Sequence, residues 1–170
     1  LGQSMRVVTD LKHQLISSPS PVLLVQLMSW FKTEDDIRIW GGPEFRYPYT
    51  LESFVADTQL DNLLTVCLLD GTGRLSAFGQ CYNRLDCCHL ARLAIAPDLR
   101  GRGLVIPLIQ TLANEAKGEF PFSELSLFVL ESNEGARLAY EKQGFNYLDY
   151  PAHRPDSYAG PDILYMRKTL

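Results

Sequence analysis

The apolar positions of the chain change period twice, and the changes divide it into three stretches. Early on, Ser20-Pro21 offers an N-cap followed by proline at the first helical position, and the apolar run Val22 to Phe31 predicts a helix. Thr33, followed by Glu34, Asp35 and Asp36, predicts a second short helix ending at Gly41-Gly42, and Thr50 predicts a third through Asp57. An opening strand is expected ahead of them. The period then drops to that of strands: Leu63 to Leu69, the turn Asp70-Gly71-Thr72-Gly73, and Leu75 to Tyr82 read as a β-hairpin.

A further strand, Cys88 to Ala96, stops at Pro97-Asp98. Val105, Leu108, Ile109, Leu112 and Ala116 then fall at helical spacing. Glu124 to Leu130 reads as a buried strand, and a helix from Asn133 to Gln143 ends at Gly144, a C′ glycine. Phe145 to Tyr150 and Ile163 to Lys168 are expected as closing strands. The alternation of strands and helices predicts a single α/β (α+β) unit.

No repeat or linker divides the chain, and 170 residues suit one domain at roughly 100 to 200 residues each. The expected organisation is one unit over 1–170, with 63–170 as its core and 1–62 adding a strand and helices. With 46% apolar, 21% charged and 11% aromatic residues the chain has the means to bury a core, which excludes disorder and coiled coil. Its net charge of -4 has the wrong sign for gripping a phosphate backbone, so no nucleic-acid partner is expected. No run approaches the roughly 20 apolar residues that span a bilayer, and no membrane partner is expected either. The N-terminus lacks a basic stretch and apolar segment of the secretion type, and Met5 is a candidate natural start, so a cytoplasmic location is expected. The four cysteines, two of them adjacent, read as reduced and mostly buried.

The stretch with chemical content is Leu93-Ala94-Ile95-Ala96-Pro97-Asp98-Leu99-Arg100-Gly101-Arg102-Gly103-Leu104-Val105. A strand ends, two glycines let the backbone approach a ligand, and a helix opens with unpaired N-H groups and the positive end of its dipole outward. With Arg100 and Arg102 adding charge, Arg100 to Val105 is a cradle for phosphate or pyrophosphate. A dinucleotide fingerprint does not fit, because Ile106 stands where its third glycine belongs, and no glycine-lysine-serine/threonine triplet supports a P-loop. Farther on, Asn133, Ala136 and Tyr140 share one helix face ahead of Gly144-Phe145.

Together, Arg100-x-x-Gly103-x-Val105 and Asn133-x-x-Ala136-x-x-x-Tyr140-x-x-x-Gly144-Phe145 resemble the GNAT superfamily of acetyl-CoA-dependent N-acetyltransferases, over Leu63 to Leu170. The resemblance implies that the backbone amides of Arg100, Gly101, Arg102, Gly103, Leu104 and Val105 hold the CoA pyrophosphate, and that Leu93, Ala94 and Ile95 pair with the pantetheine arm. It further implies that Asn133 and Ala136 flank the cofactor and that Tyr140 lies beside the thioester sulfur. It departs at Val105, where the family usually has glycine or alanine, and Pro107 removes an N-H from the first helical turn.

The implied reaction moves an acetyl group from acetyl-CoA to a primary amine of a small molecule, peptide or protein. Tyr140 suits the general acid, a backbone N-H near Leu93 or Ile95 the polarising donor, and His89 or Glu131 the base. Trp40, Phe45 and Tyr47, in a loop rich in aromatics and turn formers, are the expected wall of the acceptor pocket, with Glu44 or Asp36 available to attract a cationic amine. Cys87-Cys88-His89 does not read as a metal site, since neighbours on a strand point to opposite faces and no second ligand pair follows. Two readings compete: a CoA-binding module without catalysis, and a nucleotide-binding α/β protein that uses Arg100 to Val105 for another phosphate ligand.

Overall fold

A computed structural model describes residues 6–8, 13–151 and 162–170. Two short strands, β1 (Arg6–Val8) and β2 (His13–Ile16), open the chain where one was expected. Three helices follow, α1 (Pro21–Met28), α2 (Glu34–Gly41) and α3 (Leu51–Thr58). Their starts follow the capping chemistry in the sequence. Ser20 Oγ accepts from Leu23 N-H at 3.4 Å with Pro21 behind it, while Thr33 with Asp36 and Thr50 with Ser53 form reciprocal capping boxes. α1 ends at Met28, three residues short of the apolar run that predicted it, because Trp30 and Phe31 fold back in turns onto Leu27 and Met28.

The remaining elements are β3 (Leu64–Leu69), β4 (Leu75–Arg84), β5 (Cys87–Ile95), a single 3-10 turn at Pro97–Leu99, α4 (Val105–Ala116), β6 (Glu124–Leu130), α5 (Glu134–Lys142), β7 (Asn146–Leu148) and β8 (Ile163–Thr169). Most boundaries fall within a residue or two of the expected ones. Phe145 leaves the strand assigned to it, since its amide bonds Tyr140 O at 3.1 Å and its ring is buried.

All described strands join one eight-stranded sheet in the order β1-β2-β3-β4-β5-β6-β8-β7, antiparallel everywhere except between β5 and β6. This is the α/β (α+β) architecture, a mixed, mostly antiparallel central sheet flanked by helices, that the family resemblance implies. Alternation along each strand then splits the core into two layers. Val66 and Leu68 join the layer beneath α4, with Leu108, Leu112, Leu125 and Leu127. Cys67 and Leu69 face the other way, into a layer with Leu27, Ile37, Phe54 and Phe78 under α1, α2 and α3. Gly79 on β4 permits the closest approach of α4, since a Cβ there would stand 2.8 Å from Leu112 Cδ1 and 2.9 Å from Leu93 Cδ2. All four cysteines are buried free thiols. Among the described residues no helix is long and apolar enough to cross a membrane.

Candidate active site

The site begins with a defect in the sheet. β5 and β6 run parallel for only three pairs, Cys88 with Leu125, His89 with Ser126 and Leu90 with Leu127, although β5 has nine residues and β6 seven. Beyond Leu90 the strands part. On the β4 side the register advances two residues from Phe78 to Gln80 against three from Ala94 to Ala91, so β5 carries an extra residue, and Arg92 sits there at φ 50. Such a bulge bends its strand, and here it coincides with the loss of pairing to β6. The bulge is tied down by a buried polar chain: Arg92 Nη1 donates to Gln80 Oε1 at 3.0 Å, and Gln80 Nε2 donates to Thr58 O at 2.8 Å and Thr65 Oγ1 at 3.0 Å. The backbone of Leu93 to Ile95 therefore faces a wedge-shaped gap on the β6 side. Bulge and gap left no mark in the sequence, because Arg92 is not a residue type that favours positive φ.

At the end of β5 the chain passes the 3-10 turn and enters the arginine-glycine stretch. Gly101 and Gly103 adopt φ 75 and 76, and a Cβ on either would meet nothing within 4 Å. These glycines thus serve backbone conformation rather than tight packing. Among the described residues, no amide from Arg100 to Val105 donates to a backbone carbonyl, and Leu104, the N-cap of α4, supplies no side-chain cap. Amides left unpaired at a helix start suit an anion. Arg100 and Arg102 are exposed beside them. Asp98, in the 3-10 turn just before them, is engaged by Arg74 through a two-pronged pair at 2.9 and 2.7 Å, which holds its pKa below the usual range. Val105 turns toward the core beneath α4, and Pro107 stands in the first turn, where its missing N-H removes no helical bond.

α5 packs on the same layer as α4, bringing Ala136 and Tyr140 against that core. Asn133 is its N-cap, its Oδ1 accepting from Ala136 N-H at 3.3 Å. Tyr140 is half-buried, its ring edge-on to Phe145 with centroids 5.8 Å apart. Burial pushes this phenol up to about 12.

His89 does not suit the base it was considered for. It is 2% exposed, its Nδ1 is 2.8 Å from Ser126 Oγ, and its ring packs between Tyr82 and Phe128. Burial, assisted by Arg84, drives its pKa to about 3, so the imidazole is a neutral core group out of reach of an acceptor amine. Glu131 is exposed at the end of β6 and lines a recess of about 470 Å³ with Leu130, Ser132 and Asp162. On the other face, Phe45 is 3% exposed, and Trp40 stacks on Phe31 and Phe54 at 4.4 and 5.7 Å. Both belong to the aromatic core, and of the three expected pocket aromatics only Tyr47 is exposed. Glu44 and Asp36 are both exposed, and Asp36 is committed to the cap of α2.

Comparison with known proteins agrees with this geometry. Residues 26–145 match the model of the Acetyltransferase (GNAT) family, and the chain belongs to that family, whose members transfer acetyl groups from acetyl-CoA. Among solved structures it is similar to the ribosomal-protein-S18-alanine N-acetyltransferase of Escherichia coli, at 23% identity over 92% of this chain and 93% of that one, with a TM-score of 0.62. The spermidine N-acetyltransferase of Vibrio cholerae, solved with CoA and spermine, is 18% identical over 93% and 95% of the two chains, with a TM-score of 0.67. An acetyltransferase of Streptococcus agalactiae is 18% identical over 94% and 99%, with a TM-score of 0.66. At these identities the structural likenesses speak for the fold.

Proposed function

We propose that the protein is an N-acetyltransferase that moves the acetyl group of acetyl-CoA to a primary amine of a small molecule or peptide. The observation that carries this reading is the gap between β5 and β6 opening beside a helix start whose amides are unpaired. A split sheet exposes backbone groups that can pair with an amide-bearing arm, and the amides of Arg100 to Val105 lie where a pyrophosphate would end that arm. Asn133 and Ala136 would border the same arm from α5. In this reading residues 63–170 form the CoA-binding core and 1–62 the acceptor side, within one catalytic domain.

Acetyl-CoA supplies an activated acyl group whose carbon takes the nitrogen lone pair as the carbon-sulfur bond breaks. An amide on β5 at Leu93 or Ile95 polarises the carbonyl oxygen. Tyr140 holds its proton throughout the neutral range and releases it to the departing sulfur; the apolar surroundings that raise the phenol raise the basicity of that sulfur as well. Glu131, at the solvent-facing end of β6, takes the proton of the attacking amine through water. His89 has no part in proton transfer. The buried free thiols support placement in a reducing cytoplasm.

The direct experiment mixes protein, acetyl-CoA and a set of primary amines and follows free thiol. Release that depends on the amine is expected, and its absence with every acceptor refutes the reading. Thiol release also separates it from a binding module without catalysis, which would take up CoA and leave the thioester intact.

A further inference from the structure

On the face that carries α1 to α3, a recess of about 530 Å³ lies between the end of α1 and the turn that follows β5. We infer that this recess is a subsite for an anionic group, carboxylate or phosphate, carried by the amine acceptor; the inference rests on the acetyl-transfer reading above. The volume lies in the ordinary range for small-ligand sites. Its lining carries two cations, Lys32 and Arg74, against one carboxylate, Asp98.

Gln26 Oε1 accepts from Leu75 N-H at 2.9 Å, which holds the amide in place and leaves its NH2 to meet a ligand. Ser29 spends its hydroxyl proton on Gln26 O at 2.5 Å. Trp30 and Lys32 both line the recess, and neither the indole N-H nor the ammonium bonds a protein group among the described residues. The carboxylate in the wall, Asp98, is neutralised by Arg74. With Arg74 and Asp98 cancelling, the Lys32 ammonium is the charge left over among the lining residues, and together with an aromatic face it fits an anion attached to an organic body.

Position argues for the acceptor as the source of that anion. The arginine-glycine cradle opens α4, which covers the opposite face of the sheet, whereas the recess is built on α1. Its floor at Pro97 and Asp98 directly follows the end of β5 at which the gap opens. An acceptor anchored here by its anion would lie on the α1 side with its amine directed toward the end of β5. Such a site favours amino-acid-like or acidic-peptide amines over polyamines.

The test uses matched acceptors, peptides that differ only by Glu or Gln next to the N-terminal amine, together with spermidine. The wild-type protein is expected to prefer the acidic peptide through KM, by about tenfold, the worth of one hydrogen bond to a charged group. Lys32→Glu and Trp30→Ala should remove the preference and leave the KM for acetyl-CoA unchanged, whereas Lys32→Arg should retain it. Equal use of the two peptides, preference for spermidine, or a preference that survives Lys32→Glu overturns the inference while leaving acetyl transfer intact. So does a Lys32→Glu defect that appears in the KM for acetyl-CoA and vanishes with its 3′-dephospho form, which would give the recess to the CoA phosphate. No thiol release with any amine overturns the transfer reading and this inference together.

Discussion

His89 Nδ1 and Ser126 Oγ stand 2.8 Å apart across β5 and β6, one residue before the backbone pairing of these strands ends at Leu90 and Leu127. Both side chains are sealed, at 2% and 0% exposure. The hydrogen bond clasps the strands at the apex of the gap, and the histidine that looked like a base in the sequence is a joint of the scaffold.

Acid should open this joint. The ordinary imidazole pKa of 6.5 holds in the unfolded chain, while the folded protein accepts that proton only near 3. Between these values the unfolded state binds more protons, so the contribution of His89 is complete above about pH 6.5 and declines as pH falls, by up to about 1.4 kcal/mol per pH unit. Urea midpoints from pH 7 to pH 4 are expected to fall more steeply for the wild type than for His89→Asn. Parallel profiles would show that His89 is not held neutral. At neutral pH Ser126→Ala should cost about 1–3 kcal/mol, because it leaves a buried ring nitrogen without its partner.

Tyr140→Phe keeps the ring contact with Phe145 and removes the proton donor. The expected loss in kcat is about 10²- to 10⁴-fold, the usual span for a positioned acid. Affinity for CoA and thermal stability should stay close to those of the wild type. Single-turnover kinetics beside calorimetric CoA titration separate the two effects, and a variant as fast as the wild type would remove Tyr140 from the chemistry.

Gly103→Ala tests the cradle. Space for a methyl group exists, so the penalty comes from the left-handed backbone, about 1–2 kcal/mol. If the loop relieves that strain by rotating its amides, CoA affinity should fall about tenfold or more while the unliganded melting temperature changes little. The rise in melting temperature that CoA confers should shrink in step. Unchanged CoA affinity would mean that the φ of Gly103 does not serve the ligand.

Gly79→Ala should behave in the opposite sense. Its methyl group would collide with Leu112 and Leu93, and overpacking of this kind costs about 1–3 kcal/mol. A lower melting temperature is expected even without ligand. Because Leu93 lies on the stretch of β5 that borders the gap, CoA binding should weaken as well. A variant as stable as the wild type would show that α4 can lift away from β4 without cost.

Much of this protein was legible in its residues taken in order. Ser20, Thr33 and Thr50 marked helix starts, Gly144 marked a helix end at φ 93, and Gly101 and Gly103 marked the turn before α4, because caps and left-handed dihedrals are needs that a residue meets within a few positions of itself. The same local logic singled out Arg100 to Val105 as a candidate anion cradle and carried the family resemblance. What only the tertiary structure decided depends on segments far apart in the chain. The parallel pairing of β5 with β6 and its early end, the bulge at Arg92, the burial that converts His89 from a base to a clasp, and the absorption of Trp40 and Phe45 into the core each follow from what packs against them. An imidazole or an indole carries no label for its surroundings. Its solvation, and with it its pKa and its reach, is set by strands and helices that the order of residues names but does not bring together.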